Sequence, residues 1–391
     1  MTASRFPAMA SDFKMPLKIE PYLTRRPVVL ALLFLVAVVS FLAVSALSRI
    51  FQAQQAELAT RWFSRGVADL NARRFENAAL EFRTALRYSR DDYSYQLNLA
   101  EALIGQGKAD AAYSYLINLW DRQPENGFVN LELARVAAQK GQTDSALRYY
   151  HNAVYAVWSS DEESARRYTR LELIEYLLKI NARTQAQSEL IALGASLGED
   201  AAQQAQLGDL FLRAQDYEHA LAAFHLSLKS DPHNQAALAG AGLAAFKLAR
   251  YPLAEKYLQE AVAADPQDAQ SAAQLKSTED VLLMDPFRRE TPASQRARIV
   301  VEDFRVAGER LKSCPVPGSS AGQAGVEQNL ADDWEKMKPR IAESAIRRDP
   351  DLADNAMELV FNIERQTSAL CGTPSGPDQA LLLIARLHAG S

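Results

Sequence analysis

The chain has 391 residues, a formal net charge of −5, 48% apolar residues and 23% charged ones. That length allows one large or two ordinary domains with a sizeable core, and the acidic balance lacks the basic face on which nucleic-acid binding depends, so no nucleic acid is expected as a partner. Abundant Ala, Leu, Glu and Arg beside only 17 Gly and 16 Pro predict an all-α chain.

The first element is "PVVLALLFLVAVVSFLAVSAL", residues 27 to 47, uncharged and broken only by two serines. About 20 such residues span the hydrocarbon core of a bilayer as a helix. Arg25 and Arg26 precede it directly, with Arg5, Lys14 and Lys18 upstream, whereas Arg49 is the only basic residue in the dozen that follow. The positive-inside rule then places a tail, 1–26, in the cytoplasm and the rest across the membrane. In a bacterium this is a single-pass inner-membrane protein with a periplasmic repeat domain. The alternative is a cleaved signal peptide with "VSA" at Val44 to Ala46 as its cleavage site. The run exceeds the roughly 7 to 15 apolar residues usual for such a signal, which favours a retained anchor. The two cysteines, Cys314 and Cys371, are far from this segment, which excludes a lipoprotein.

After a short helical linker, 48–58, the chain becomes periodic. "LGDLFLRAQDYEHALAAFHLSLKSDP" at 207–232 recurs 34 residues later as "AGLAAFKLARYPLAEKYLQEAVAADP", with Gly208 over Gly242, Ala220 over Ala254, Phe224 over Leu258, Ser227 over Ala261 and Pro232 over Pro266. The same frame holds Trp62, Gly66, Ala78, Phe82 and Ala85, then Leu99, Leu103, Gly107, Ala112, Leu116 and Pro124, then Leu133, Ala137, Gly141, Ala146, Tyr150 and Ala153. A worn copy with Leu173, Leu177, Ala186, Leu190 and Leu193 lacks the glycine and the proline. Six units run from 59 to 266. Small residues allow close helix approach and large ones fill the space between. Glycine ends the first helix of a unit, and proline stops the second.

This pattern resembles the tetratricopeptide repeat, a 34-residue helix–turn–helix. The resemblance implies a right-handed α-solenoid that binds other proteins, with no cofactor. It also implies that the first helix of each unit lines a concave groove. Carried onto this chain, the groove positions are Phe63, Val67, Leu70 and Asn71; Leu97, Glu101 and Ile104; Phe128, Leu131, Arg135 and Gln139; then Asp209, Arg213, Leu243, Phe246 and Lys247. The early units would present an apolar stripe, and two readings are open for it. It is a groove for an apolar partner segment, or it is covered by the chain's own C-terminal or membrane-proximal helices. Phe63 and Val67 stand where chaperone-binding members of the family carry two residues of a carboxylate clamp, which argues against that specificity.

From 267 to 391 the frame fades into a capping helix and a C-terminal helical region. A helix around "QRARIVVEDFRVAGERLKSC" is followed by a flexible linker, 315–325, a charged helix over 326–349, a more apolar helix after Pro350, and a last short one, "PDQALLLIARL". Cys314 and Cys371 each end a helix, with one antiparallel helix between. In an up-down-up arrangement those ends meet, which predicts a disulfide favoured by an oxidising compartment. Two unrelated buried thiols are the alternative.

Nothing in the chain has catalytic or metal-binding spacing. His219 and His225 are six apart and so on different sides of a helix, while His151, His233 and His388 stand in no cysteine or acidic cluster. The expected function is a membrane-anchored scaffold or adaptor in a bacterial envelope assembly, and not an enzyme. Rival readings are a catalytic or ligand-binding C-terminal region, and a cytosol-facing polypeptide receptor if the topology is inverted.

Overall fold

The computed structural model describes residues 26–158, 162–314 and 321–388. The expected cytoplasmic tail, except its last residue, and residues 315–320 of the expected linker lie outside these. Among the described residues there is no strand, only an isolated bridge between Asn126 and Val157. The chain forms two compact units, Met1–Arg166 and Arg167–Ser391.

The first unit opens with α1 (Arg26–Asn71), followed by α2 (Phe75–Tyr88), α3 (Tyr93–Gly105), α4 (Ala109–Arg122), α5 (Gly127–Gln139) and α6 (Thr143–Val154). At 46 residues, α1 is about 69 Å long at 1.5 Å per residue. It runs without a break from the apolar segment into the first helix of the first repeat. Its stretch Val29–Asn71 is long and apolar enough to cross a membrane, and none of its most apolar window is covered by the rest of the protein. Ala59 is the first residue of α1 to be buried. From there α1 packs on α2, and α3 with α4 and α5 with α6 repeat the antiparallel hairpin.

The second unit contains most of α7 (Glu162–Lys179), then α8 (Arg183–Gly194), α9 (Ala201–Arg213), α10 (Tyr217–Ser230), α11 (Gln235–Lys247), α12 (Tyr251–Ala264) and α13 (Ala269–Met284). The worn repeat is a complete hairpin: Leu173, Leu177, Ala186, Leu190 and Leu193 are all buried, and Arg170 of α7 bonds Glu189 of α8 at 3.1 Å.

One local rule forms all six hairpins. The first helix ends at a residue in the left-handed region: Arg73, Gly107, Gly141, Asn181, Gln215 or Ala249. The next backbone N–H then donates to the carbonyl five residues back, at 2.8 to 2.9 Å in every copy, as with Lys108 to Leu103 and Arg250 to Ala245. This bond satisfies a carbonyl the helix would leave open. Glycine suits the position best, and where it is missing the backbone adopts the same shape. The second helices stop before Pro124, Pro232 and Pro266. A new first helix then begins at an Asp or Asn cap, Asp92, Asn126, Asp200, Asn234 or Asp268, whose side chain accepts a backbone N–H.

Beyond the repeats lie α14 (Ala293–Ser313), α15 (Ala321–Met337), a 3₁₀ turn (Lys338–Arg340), α16 (Glu343–Ile346), α17 (Pro350–Cys371) and α18 (Pro377–Leu387). Two expectations are corrected here. Residues 321–325, assigned to the linker, belong to α15. The single charged helix over 326–349 is broken, because Pro339 cannot donate the helical hydrogen bond; α15 gives way to the 3₁₀ turn and the short α16. Helix α14 packs on α17, while α18 packs on α13 and α17. Cys314, just past α14, and Cys371, the last residue of α17, are joined by a disulfide with α-carbons 6.0 Å apart.

Candidate partner-binding groove

The residues proposed for the early groove differ widely in exposure. Leu70, Ile104 and Leu131 are buried, at 9%, 8% and 4% exposure. Phe63 is half-buried, its ring stacked on Tyr95 at 4.7 Å and tilted against Phe82 at 5.7 Å. Val67 and Leu97 are also half-buried. Phe128, 41% exposed, meets Trp158 edge to face at 4.8 Å. Arg135 is drawn back onto Glu132 of its own helix. The stripe is therefore mostly the packing surface between successive first helices. A helix in a stacked hairpin has neighbours on several sides, and much of the face that looks free in one unit is covered by the next.

An open groove lies instead in the second unit, on α9, α11 and α13. It encloses about 570 Å³ and is lined by Gln206, Asp209 and Leu212, then Ala236, Ala239, Gly240 and Leu243, then Gln270 and Gln274. Phe224 of α10, fully buried, forms its floor. Gly208 and Gly240 lie against that ring: a Cβ would stand 2.6 Å from the ring at Gly208 and 2.2 Å at Gly240. Small side chains on one helix thus let the aromatic ring of its neighbour fill the interior and keep the groove shallow and wide. The N-termini of all three lining helices are fixed by Asp200, Asn234 and Asp268. Ser227, at the small position of α10, donates to the Ala201 carbonyl at 2.7 Å and holds α9 to α10.

Of the late positions named from the repeat pattern, Asp209 and Leu243 line this groove. Arg213 is committed to Glu175 through two hydrogen bonds, of 2.7 and 2.5 Å. That pairing holds the Glu175 carboxyl below the usual carboxylate range. Phe246 is buried against Tyr251, and Lys247 is exposed. The amide side chains of Gln206, Gln270 and Gln274 were not singled out from the sequence. The signal was present, since Gln206 and Gln274 share one position of the 34-residue frame, three residues before that of Asp209 and Leu243, on the same helix face. Amides that both donate and accept suit the backbone of an extended segment.

The structure has no group of three or more His, Cys, Asp or Glu able to hold a metal ion among the described residues. His219 stacks on Phe211 and bonds Asp216 at 2.8 Å, and His388 approaches Asp285 at 3.5 Å.

The tetratricopeptide-repeat family profile matches residues 63–127 and 206–269. No curated protein matches the sequence. Among solved structures, the C-terminal part of a repeat protein from Cytophaga hutchinsonii aligns with TM-score 0.42 at 13% identity, covering 82% of this chain and 99% of that one. PilF of Pseudomonas aeruginosa aligns with TM-score 0.40 at 15% identity over 56% and 97%. YrrB, described as having an unusual peptide-binding site, aligns with TM-score 0.39 at 17% identity over 49% and 95%. Two segments match the family profile and six hairpins are built to one rule, so the chain carries tetratricopeptide repeats.

Proposed function

We propose that this protein is a membrane-anchored adaptor that holds an extended segment of a partner protein in the groove of α9, α11 and α13. The observation that carries this reading is the groove itself, wide, floored by a buried ring, and lined by amides and small residues on three successive helices. A segment lying there gains backbone hydrogen bonds from the glutamines and an apolar contact from Leu243. The uncovered apolar part of α1 supports anchoring in a bilayer. The basic residues before it support a topology with the repeats outside the cytoplasm. In a bacterium that compartment is the cell envelope, where a partner would be held in an assembly.

Crosslinking in native membranes, followed by purification of the full-length protein, tests the reading. The wild type recovers a partner that Leu243→Glu loses while keeping the same helicity. A phosphatase reporter placed after Ser391 is active outside the cytoplasm. Equal recovery by both proteins removes the groove from the account, and a reporter active only inside the cytoplasm removes the envelope.

A further inference from the structure

A second cleft lies outside the repeats, between α13 and α14, and encloses about 480 Å³. That volume is within the roughly 300 to 1,000 Å³ of sites that take a few side chains rather than a folded surface. Its apolar lining comes from Leu283 and Met284 of α13, Ile299 and Val306 of α14, and Pro377 at the start of α18, and polar groups including Asp280, Gln295, Arg298 and Arg305 complete it. Leu283 is 68% exposed and so offers apolar surface at the mouth of the cleft.

Asp303 lines the same cleft and is only 1% exposed. Its Oδ2 has no hydrogen-bond partner, and no ion pair reaches the carboxyl among the described residues. A buried, unpaired carboxyl costs free energy, and proteins nearly always satisfy one. The residues around it do not do so. Glu302 is held by Arg305, which also bonds Glu309, so that guanidinium is already neutralised. Asp280 faces Lys276 at 3.8 Å, Asp285 approaches His388 at 3.5 Å, and Arg298 stands on the rim. Burial, with added repulsion from Glu302 and Asp285, pushes Asp303 well above the usual carboxylate range and so favours its neutral form. A cleft with an apolar lining and an unanswered acid at its base matches an aliphatic segment that carries one cation.

We propose that the cleft between α13 and α14 docks a short segment of a partner polypeptide, in which one arginine or lysine flanked by aliphatic residues reaches Asp303. The guanidinium or ammonium replaces the proton of the carboxyl, which leaves to solvent, and forms a charge-assisted hydrogen bond in a site shielded from water. The flanking side chains cover Leu283 and Ile299. This site is separate from the repeat groove and does not depend on what that groove binds.

The test uses the full-length protein in detergent and a fluorescent, amidated nonapeptide with a central arginine between leucine and isoleucine residues. Its control carries citrulline, which is isosteric but uncharged, in place of the arginine. Fluorescence anisotropy should show the arginine peptide binding at least about tenfold tighter than the citrulline peptide. Asp303→Asn should bring both to the citrulline level, and its melting should be undiminished because burial already favours the neutral form of the carboxyl it replaces. Leu283→Glu, at an exposed position that does not endanger folding, should weaken both peptides. Titration calorimetry in buffers of different ionisation enthalpy should show proton release on binding by the wild type and none by Asp303→Asn. Equal affinity for the two peptides, or undiminished arginine-peptide binding by folded Asp303→Asn, overturns the proposal. So does a change of oligomeric state in Leu283→Glu without peptide binding by the wild type, which would give the cleft to a second copy of the chain.

Discussion

The repeat hairpins and the helices after them solve the problem of burial in opposite ways. In the repeats, most buried positions hold small, aliphatic or aromatic residues. Among the few polar ones, Ser227 bonds the Ala201 carbonyl of the neighbouring helix and Asn130 bonds the Pro124 and Asn126 carbonyls. Stability there is spread along the chain, one hairpin leaning on the next. The C-terminal helices have no repeating neighbour and depend on a covalent bridge, Cys314 to Cys371. They also bury Asp303 and Glu364, whose carboxyls find no hydrogen-bond partners among the described residues. The first region is built for regular stacking. The second buries two carboxyls whose neutral form burial favours, which makes it the more pH-sensitive region.

The sharpest way to break this contrast is to remove the ring under the groove. Phe224→Ala should cost about 3 to 5 kcal/mol, since it leaves a cavity that Gly208 and Gly240 cannot fill. Chemical denaturation of the full-length protein measures the loss. A cost under about 1 kcal/mol would mean that the hairpins do not share a common core there.

Next in size is the bridge. Replacing Cys314 and Cys371 with serine should destabilise the C-terminal helices by about 2 to 4 kcal/mol while leaving the repeats as protected as before. Hydrogen exchange resolved by peptide separates the two regions. Equal loss of protection across α9 to α12 would contradict their independence.

The buried acid gives a pH signature. Burial, followed by repulsion from Asp378, raises Glu364 from 4.5 to about 8, with Arg310 opposing the shift. A carboxyl whose folded pKa lies above its unfolded value binds its proton more tightly when folded. Its contribution is fully present below about pH 4.5 and is lost as pH rises through about 8. Glu364→Gln should therefore have little effect at pH 4.5 and should stabilise the protein at pH 8 by up to about 4 kcal/mol. Thermal melts at the two values decide it, and a difference that does not change with pH would contradict the assignment.

The smallest effects test the turn rule. Gly107→Ala should cost about 1 kcal/mol because a Cβ is unfavourable at a positive φ. Ala249→Gly, at φ 55°, should gain about 0.5 kcal/mol through relief of the same strain, partly offset by the unfolded-state entropy of glycine.

The hairpin array was readable from the sequence because its code is steric and periodic. Gly208 over Gly242 and Phe224 over Leu258 impose the same close approach wherever they occur. Even the worn repeat kept its buried leucines and replaced the turn glycine with Asn181. The groove was harder to place. The repeat period says which helix lines it, but not how much of each first helix the next copy covers, and Leu70, Ile104 and Leu131 are buried as a result. In the C-terminal region the signal existed and was passed over. Asp303 follows Val300 by three and precedes Ala307 by four, while Glu364 follows Val360 by four and precedes Thr367 by three. Both acids lie on the apolar stripes of their helices, where composition alone suggests a charged, solvated face.

Site-specific photocrosslinking in native membranes tests the central claim most directly. A benzophenone amino acid at Leu243, inside the groove, is compared with one at Leu226, which is 45% exposed on α10 and does not line it. The account predicts a discrete higher-mass adduct from Leu243 and none from Leu226. It further predicts that Gln206→Ala with Gln274→Ala, which remove two groove amides, weaken the adduct. Adducts of equal intensity from both positions, or from Leu226 alone, would contradict the assignment of this groove as the partner-binding surface.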